Sequence, residues 1–219
     1  MVVWKQSSNN TFNTRKCATD WSRVYRWTNT RVHGCKCRNN CCRGTSRRGL
    51  FLNSIVATDE TWVNYFTPES KRSSIQWRYP GSPEPKKAKT TFSVGKVMTT
   101  IFWDSKGVFQ LDFLTQLRTI NSEYYSALLE GPVKTVIRNK RKRTQTSVSF
   151  IQDNARPHVA TRTMDTIQKL KWNFLPQTPY SPDIAPSDYH LFGSLKEHLG
   201  GKRFRNNEEV IQDVQAWLY

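Results

Sequence analysis

The chain lacks long hydrophobic runs and a secretory start. No stretch approaches the roughly 18 consecutive apolar residues of a transmembrane helix. The first five residues, Met-Val-Val-Trp-Lys, lack the apolar core of a signal peptide. These absences favour a soluble intracellular protein and exclude the membrane-spanning classes.

Cysteine is absent from most of the chain: all 5 cysteines lie within the first 42 residues. An odd number without a signal peptide argues against a disulfide framework. The spacing Cys35-x-Cys37-x3-Cys41-Cys42 departs from that of structural zinc sites, whose ligand pairs are about two to four residues apart. We expect free thiols, with a zinc site as the alternative.

Acidic residues are scarce, since 17 Asp and Glu face 34 Lys and Arg, a net charge of +17. This balance indicates a polyanionic partner, nucleic acid before an anionic membrane, with a basic protein that has no such partner as the alternative. Residues 1–48 contain eleven basic residues and one acid, Asp20, without a sustained helical or strand period. We expect a disordered or mis-joined leader there, and a phosphate-binding arm is the alternative.

From residue 49 onward the pattern is that of a folded α/β domain. Residues 51–59 form an apolar run that ends in Asp59, and the run at 147–152 ends just before Asp153. The order of elements is three strands, helix, strand, helix, strand, helix, which indicates a mixed sheet with flanking helices. A basic, proline-punctuated loop over about 64–91 follows the first strand, and a loop of this length is usually functional or disordered.

Several local patterns make sharper predictions. Residues 96–114 predict a hairpin that turns at 104–107, with Phe109, Leu111 and Phe113 on one face of its second strand. The pair Gly131-Pro132 is expected to bend or break a helix over 122–137. Further helices are predicted from Pro157, over 187–199 and after 206, where Asn206 and Glu209 resemble a reciprocal cap. The basic run 138–143 reads as a solvated loop, with a nuclear import signal or a phosphate contact as alternatives.

Three aspartates are predicted to meet at one edge of the sheet. Asp59 and Asp153 follow apolar strands. Asp188 shares a helix face with Phe192 and Leu195, so we expect it to face the sheet and not solvent. The alternative for Asp188 is a carboxylate placed to interact with the helix dipole.

Three like charges at one place require a counter-ion. Mg²⁺ binds through a few carboxylates, and two such ions can activate a water and stabilise the leaving oxygen of a phosphodiester. The sequence therefore predicts metal-dependent cleavage or transfer of nucleic acid.

The chain contains the blocks ATDETW at 57–62, QDNARPH at 152–158 and YSPDIAPSDYHLF at 180–192. These three blocks resemble the catalytic blocks of mariner-type transposases of the Tc1/mariner superfamily. Between Asp153 and Asp188 lie 34 residues (188 − 153 − 1), which is the spacing of the family's triad of three aspartates. The resemblance extends from about Phe51 to Tyr219.

The resemblance implies an RNase H-like catalytic domain over 49–219 that binds two Mg²⁺ or Mn²⁺ ions through Asp59, Asp153 and Asp188. It implies cleavage of DNA strands and their transfer to target DNA, in the nucleus, with no small-molecule substrate. The loop 64–91 resembles the family's clamp loop, which contacts the partner subunit of a homodimer. The expected DNA-binding residues are Arg78, Lys86, Lys87, Lys89 and Arg156. Arg156 and His158 match motif positions, and packing at a helix start is their alternative role.

The chain also departs from the family pattern. Residues 1–48 resemble none of the helix-turn-helix modules that recognise transposon ends, and the chain is expected to stop before the family's usual end. Two other functions therefore stay open beside a transposase. One is an inactive relic or a domesticated DNA-binding or dimerising module. The other is a ribonuclease H-type enzyme acting on RNA–DNA hybrids.

Overall fold

A five-stranded mixed sheet forms the centre of the protein, with the strand order β3-β2-β1-β4-β5. The strands are β1 (Ile55–Asn64), β2 (Lys96–Asp104), β3 (Gly107–Leu114), β4 (Ser149–Gln152) and β5 (Asn173–Pro176). The computed structural model describes residues 51–69, 79, 91, 93–115, 119–141, 147–178 and 185–219.

The first three strands form an antiparallel meander and the last two add in parallel. β1 pairs with β2 from Val56↔Asp104 to Asn64↔Lys96. Its other edge pairs with β4 in parallel, only from Ile55↔Ser149 to Ala57↔Ile151. At the start of this parallel pair, the hydroxyl oxygens of Ser54 and Ser149 lie 3.0 Å apart although the residues are 95 positions apart in the chain. The predicted mixed sheet is confirmed.

Helices cover both faces of this sheet. They are α1 (Ser122–Leu128), α2 (Lys134–Lys140), α3 (Arg156–Val159), α4 (Thr161–Lys169), α5 (Gly193–Leu199) and α6 (Asn207–Leu218). Two π-helical segments lie among them, Leu129–Val133 between α1 and α2, and Ser187–Phe192 directly before α5. No helix in the described part of the chain has the length and apolar character needed to cross a membrane.

The pleat of the strands divides the hydrophobic interior into two cores. Ile101 and Trp103 of β2 pack in the first core, with α5, α6 and the second π-helical segment. The intervening Phe102 packs in the second core, with α1, α4 and the first π-helical segment. Because successive side chains of a strand point to opposite faces, this alternation tells which core each residue of β1 and β4 faces.

The predicted hairpin is present, but one face assignment in it is wrong. Trp103 pairs with Val108 while Phe102 pairs with Gln110, so the register shifts and Phe109 is the additional residue. Such a β-bulge reverses the inward and outward alternation of the residues that follow it. Phe109 therefore packs against the second core, whereas Leu111 and Phe113 pack against the first.

The helix predicted to bend or break at Gly131-Pro132 does not break, but a π-helical segment interrupts its α-helical hydrogen bonding there. The backbone stays helical from α1 through the π-helical segment Leu129–Val133 into α2. A π turn is one of the arrangements that accommodates proline, because the ladder of i→i−4 hydrogen bonds is already interrupted there. The helix predicted from Pro157, by contrast, is split into α3 and α4 at Ala160, whose ψ of 143° is extended.

Two further predictions are corrected at the ends of helices. Asn206 Oδ1 accepts from the Glu209 backbone N–H at 2.9 Å, as predicted, but the Glu209 carboxylate accepts from the Arg205 N–H at 2.8 Å. The basic run begins inside α2, and it is not wholly solvated. Lys140 pairs with the buried Asp104 at 3.0 Å, and Arg141 donates to the Ser54 carbonyl at 3.0 Å.

Some predictions lie outside the described residues. They concern the leader 1–48 and, within the loop 64–91, the candidate DNA-binding residues Arg78, Lys86, Lys87 and Lys89.

Candidate active site

Asp59 and Asp153 lie on the two central neighbouring strands or directly beyond them. β4 ends at Gln152, so Asp153 follows its last residue, as predicted. β1 does not end at Asp59 but continues to Asn64, because its far half pairs with β2 alone. The parallel register ends at Ala57↔Ile151, two residues before these aspartates. Asp59 lies within β1 and continues the alternation of Ala57, which faces the first core.

Asp188 is supplied by the π-helical segment that covers the same face of the sheet. Leu191 and Phe192 of this segment are buried in the first core. At the start of the segment, the buried Trp103 indole N–H donates to the Ser187 hydroxyl oxygen at 3.0 Å. This bond ties the residue before Asp188 to strand β2, so the sheet fixes where the helical segment begins.

The Asp188 side chain is exposed, which corrects the expectation that it faces the sheet and not solvent. That expectation assumed α-helical spacing from residue 187 onward. The first turns are π-helical instead, and a wider turn rotates residue 188 relative to Leu195 and Leu199. Asp188 thus lies at the solvent-exposed edge of the site, near Asp59.

The three aspartates interact electrostatically. Burial, followed by the charges of Asp188, Glu60 and Asp153, raises the pKa of Asp59 from its ordinary 3.8 to about 8, although a hydrogen bond from the Glu60 N–H acts in the opposite direction. The carboxylates of Asp153 and Asp188 are therefore close enough to oppose the ionisation of Asp59. This is the repulsion between neighbouring carboxylates that the sequence predicts.

A second set of charged groups lies behind Asp153. His158 of α3 is 1% exposed, and its Nδ1 contacts Asp153 Oδ1. Its Nε2 lies 3.3 Å from Glu60 Oε1. Burial alone would lower the pKa of His158, but the bonds to Asp153 and Glu60 raise it to about 9. Burial alone would raise the pKa of Asp153, but His158 and the Ala155 N–H hold it below its usual value.

Tyr125 and Gln152 fix the histidine from the second core. The rings of Tyr125 and His158 lie 4.2 Å apart between centroids. The Tyr125 hydroxyl donates to Gln152 Oε1 at 2.9 Å, and Gln152 Nε2 donates to the His158 carbonyl at 3.0 Å. All three side chains are buried, so the imidazole is held in one orientation by hydrogen bonds and ring contact.

The donor set fits hard divalent cations. Carboxylate oxygens are the ligands that Mg²⁺ and Mn²⁺ prefer, and the charges of Asp188 and Asp153 are near enough to raise the pKa of Asp59. A second grouping also fits a metal, since Glu60, Asp153 and His158 each offer one ligand atom within 4.8 Å of the others. The first grouping opens to solvent at Asp188, whereas the second contains the buried His158.

The residue that sequence reasoning missed is Glu60. It stands in the motif beside Asp59, but it points to the opposite face of β1, where it meets His158. The sequence did contain a signal for this placement. Successive side chains of a strand point to opposite faces, so Glu60 cannot share the face of Asp59. Arg156, predicted to bind DNA, is exposed at the start of α3.

Comparisons with known proteins agree with this architecture. Residues 67–147 match the family described as "Transposase (partial DDE domain)", a segment that contains none of the three aspartates. The chain is 34% identical over 187 residues to the mariner Mos1 transposase of Drosophila mauritiana, covering 83% of this chain and 53% of that protein. It is 35% identical over 174 residues to the histone-lysine N-methyltransferase SETMAR of Homo sapiens, covering 77% of this chain and 24% of that protein.

Solved structures give the same result. The Mos1 mariner paired-end complex with Mn superimposes with a TM-score of 0.70 at 29% identity, covering 100% of this chain and 58% of that one. The Mos1 catalytic domain superimposes with a TM-score of 0.62 at 26% identity, covering 100% of this chain and 85% of that one. The predicted fold, an RNase H-like mixed sheet with flanking helices, is confirmed.

Proposed function

Because this chain belongs to the mariner-type transposases and corresponds to their catalytic domain, we propose that it cleaves DNA strands and transfers them to target DNA with divalent metal ions. The observation that carries the proposal is the electrostatic conflict at Asp59. Burial and the charges of Asp188, Glu60 and Asp153 raise its pKa to about 8. A cluster of this kind is disfavoured in the metal-free protein and becomes favourable once cations neutralise it.

In this proposal Asp59, Asp153 and Asp188 hold two Mg²⁺ or Mn²⁺ ions. When bound, the ions supply an activated water or hydroxyl as nucleophile and stabilise the leaving oxygen of the phosphodiester. Asp59 lies within strand β1 and Asp153 directly follows β4, so the pairing of these two strands positions both carboxylates that would hold the ions. Asp188 is exposed, so its edge of the site is where a DNA phosphate would enter.

DNA is the proposed partner, consistent with the net charge of +17. Four candidate contacts lie in the loop 64–91, and Arg156 is exposed three residues beyond Asp153. Relatives with known structures include a Mos1 paired-end complex. By analogy we propose a homodimer formed through the clamp-like loop 64–91, and action in the nucleus.

A plasmid-nicking assay with purified protein tests the proposal. With Mn²⁺ present, we expect slow conversion of supercoiled plasmid to nicked circles, without sequence preference, and no conversion in EDTA. Asp153→Asn should remove the activity, because the amide cannot supply an anionic ligand. The exposed Asp165 of α4 allows a matched control, since Asp165→Asn changes the charge equally and should leave nicking unchanged.

Two results would contradict the proposal. A folded protein that is inactive in both Mg²⁺ and Mn²⁺ but still retards DNA would favour the non-catalytic DNA-binding alternative. Preferential cleavage of RNA–DNA hybrids over duplex DNA would favour the ribonuclease H-type alternative.

A further inference from the structure

The arrangement of Asp153 raises the question of which of its oxygens is available to a metal ion. Oδ1 contacts His158 Nδ1 and also accepts from the Ala155 backbone N–H at 3.0 Å. No described residue donates a hydrogen bond to Oδ2. The carboxylate is therefore held at one oxygen by two donors, and the other oxygen is left for a cation.

The imidazole that holds Oδ1 is itself fixed from its other side. Its Nε2 faces Glu60 Oε1 at 3.3 Å, and the ring lies against Tyr125 with 4.2 Å between centroids. Both ring nitrogens thus face carboxylate oxygens, Nδ1 in a hydrogen bond and Nε2 in an ion-pair contact without hydrogen-bond geometry. A ring nitrogen that donates to a carboxylate, as Nδ1 does to Asp153, has no lone pair left for a metal.

We propose that His158, backed by Glu60, is a positioning residue that orients Asp153 so that Oδ2 binds the metal, and that His158 is not itself a ligand. The inference rests on the metal site of the proposed function. It assigns to Glu60 and His158 an indirect role, in place of the direct ligation that their spacing from Asp153 also allows. Partners that orient ligating groups in this way typically change metal affinity about 10- to 100-fold when they are removed.

Two substitutions of His158 distinguish the contact made by Nδ1 from the contact made by Nε2. In His158→Asn the amide nitrogen falls near the position of Nδ1, so it can still donate to Asp153. In His158→Gln the amide nitrogen falls near the position of Nε2, so it can reach Glu60 but leaves Asp153 without this donor. We expect the Asn variant to bind Mn²⁺ within about threefold of wild type and the Gln variant to bind roughly 10- to 100-fold more weakly.

Glu60→Gln is an independent variant. It keeps the imidazole of His158 but replaces the carboxylate that faces Nε2 by an uncharged amide. It should weaken Mn²⁺ binding less than His158→Gln does, because the Asp153 contact remains. This variant also tests the proposal if a substitution at the buried His158 prevents folding. His198→Gln is the matched control, since His198 likewise pairs with a carboxylate, Asp213, at 3.0 Å, and it should leave affinity unchanged.

Electron paramagnetic resonance of bound Mn²⁺ provides the titration and a second readout. Spin-echo modulation from a directly coordinated ¹⁴N is expected to be absent, and its presence in wild type but not in His158→Asn would make His158 a ligand and overturn the inference. Equal affinities of the Asn and Gln variants, whether both normal or both reduced, would also overturn it. If wild-type protein binds no Mn²⁺ at all, the proposed function fails, and the inference, which depends on that metal site, fails with it.

Discussion

Replacement of Asp59 by asparagine is expected to make the metal-free protein more stable while removing its response to metal. The pKa of Asp59 rises from 3.8 to about 8 on folding because of burial and three neighbouring carboxylates. One pKa unit corresponds to about 1.36 kcal/mol, so keeping this group in the folded state at pH 7 costs about 4 kcal/mol relative to an unburied aspartate.

The sign of the pH dependence follows from the direction of the shift. The folded-state pKa lies above the unfolded value, so the associated stability is fully present below about pH 4 and is lost as pH rises towards 8. Asparagine carries no charge and has no such dependence. Because a half-buried amide recovers only part of the cost, we expect Asp59→Asn to be more stable than wild type by about 2 kcal/mol at pH 7 in EDTA.

Urea denaturation at pH 5, 7 and 9, each with EDTA or excess Mn²⁺, measures this effect. The advantage of Asp59→Asn in EDTA should grow between pH 5 and pH 8. A ligand at 100 times its dissociation constant adds about 2.7 kcal/mol to the free energy of unfolding. Wild type should show such a gain with Mn²⁺, and Asp59→Asn should not. Asp165→Asn serves as the control. An Asp59→Asn protein less stable than wild type in EDTA at pH 7 would refute the reasoning.

Three further outcomes are expected. The Mn²⁺ affinity measured by calorimetry should increase as the pH rises, by up to about tenfold per pH unit below pH 8, and should then level off. The reason is that the ions must displace the proton of Asp59. Ser187→Ala removes the acceptor of the Trp103 indole N–H, which should lower the free energy of unfolding by about 1–2 kcal/mol and slow plasmid nicking, whereas Ser187→Thr should retain both. Asn206→Ala removes the cap of α6 and should cost about 1 kcal/mol in urea denaturation without changing nicking at 25 °C.

Strand alternation and apolar runs predicted the sheet and two of the three candidate ligands in their observed places. Asp153 follows its strand as expected, because β4 is short and ends at Gln152. Asp59 was also placed on the correct strand, but β1 continues past it to Asn64. That continuation depends on pairing with β2, which is a contact between distant residues and leaves no local signal.

The errors share a physical origin in irregular backbone. The bulge at Phe109 and the π-helical segment before Asp188 each change the angle between successive side chains. Face predictions assume a constant angle of about 100° or 180° per residue, so one irregular turn moves every later side chain. Helix propensity likewise treats Pro132 as a breaker, although a π turn accommodates it.

The pairing of β1 with β4 also determines when during folding the site can exist. The hairpin of β2 and β3 is local, but Ser54 and Ser149 must meet across 95 positions of the chain. Closing such a long loop costs conformational entropy before the contacts between the strands form. Chains dominated by distant pairings fold slowly, in roughly milliseconds to seconds. Asp59 and Asp153 come together only when this pairing forms, so the local hairpin of β2 and β3 by itself brings neither aspartate to the other.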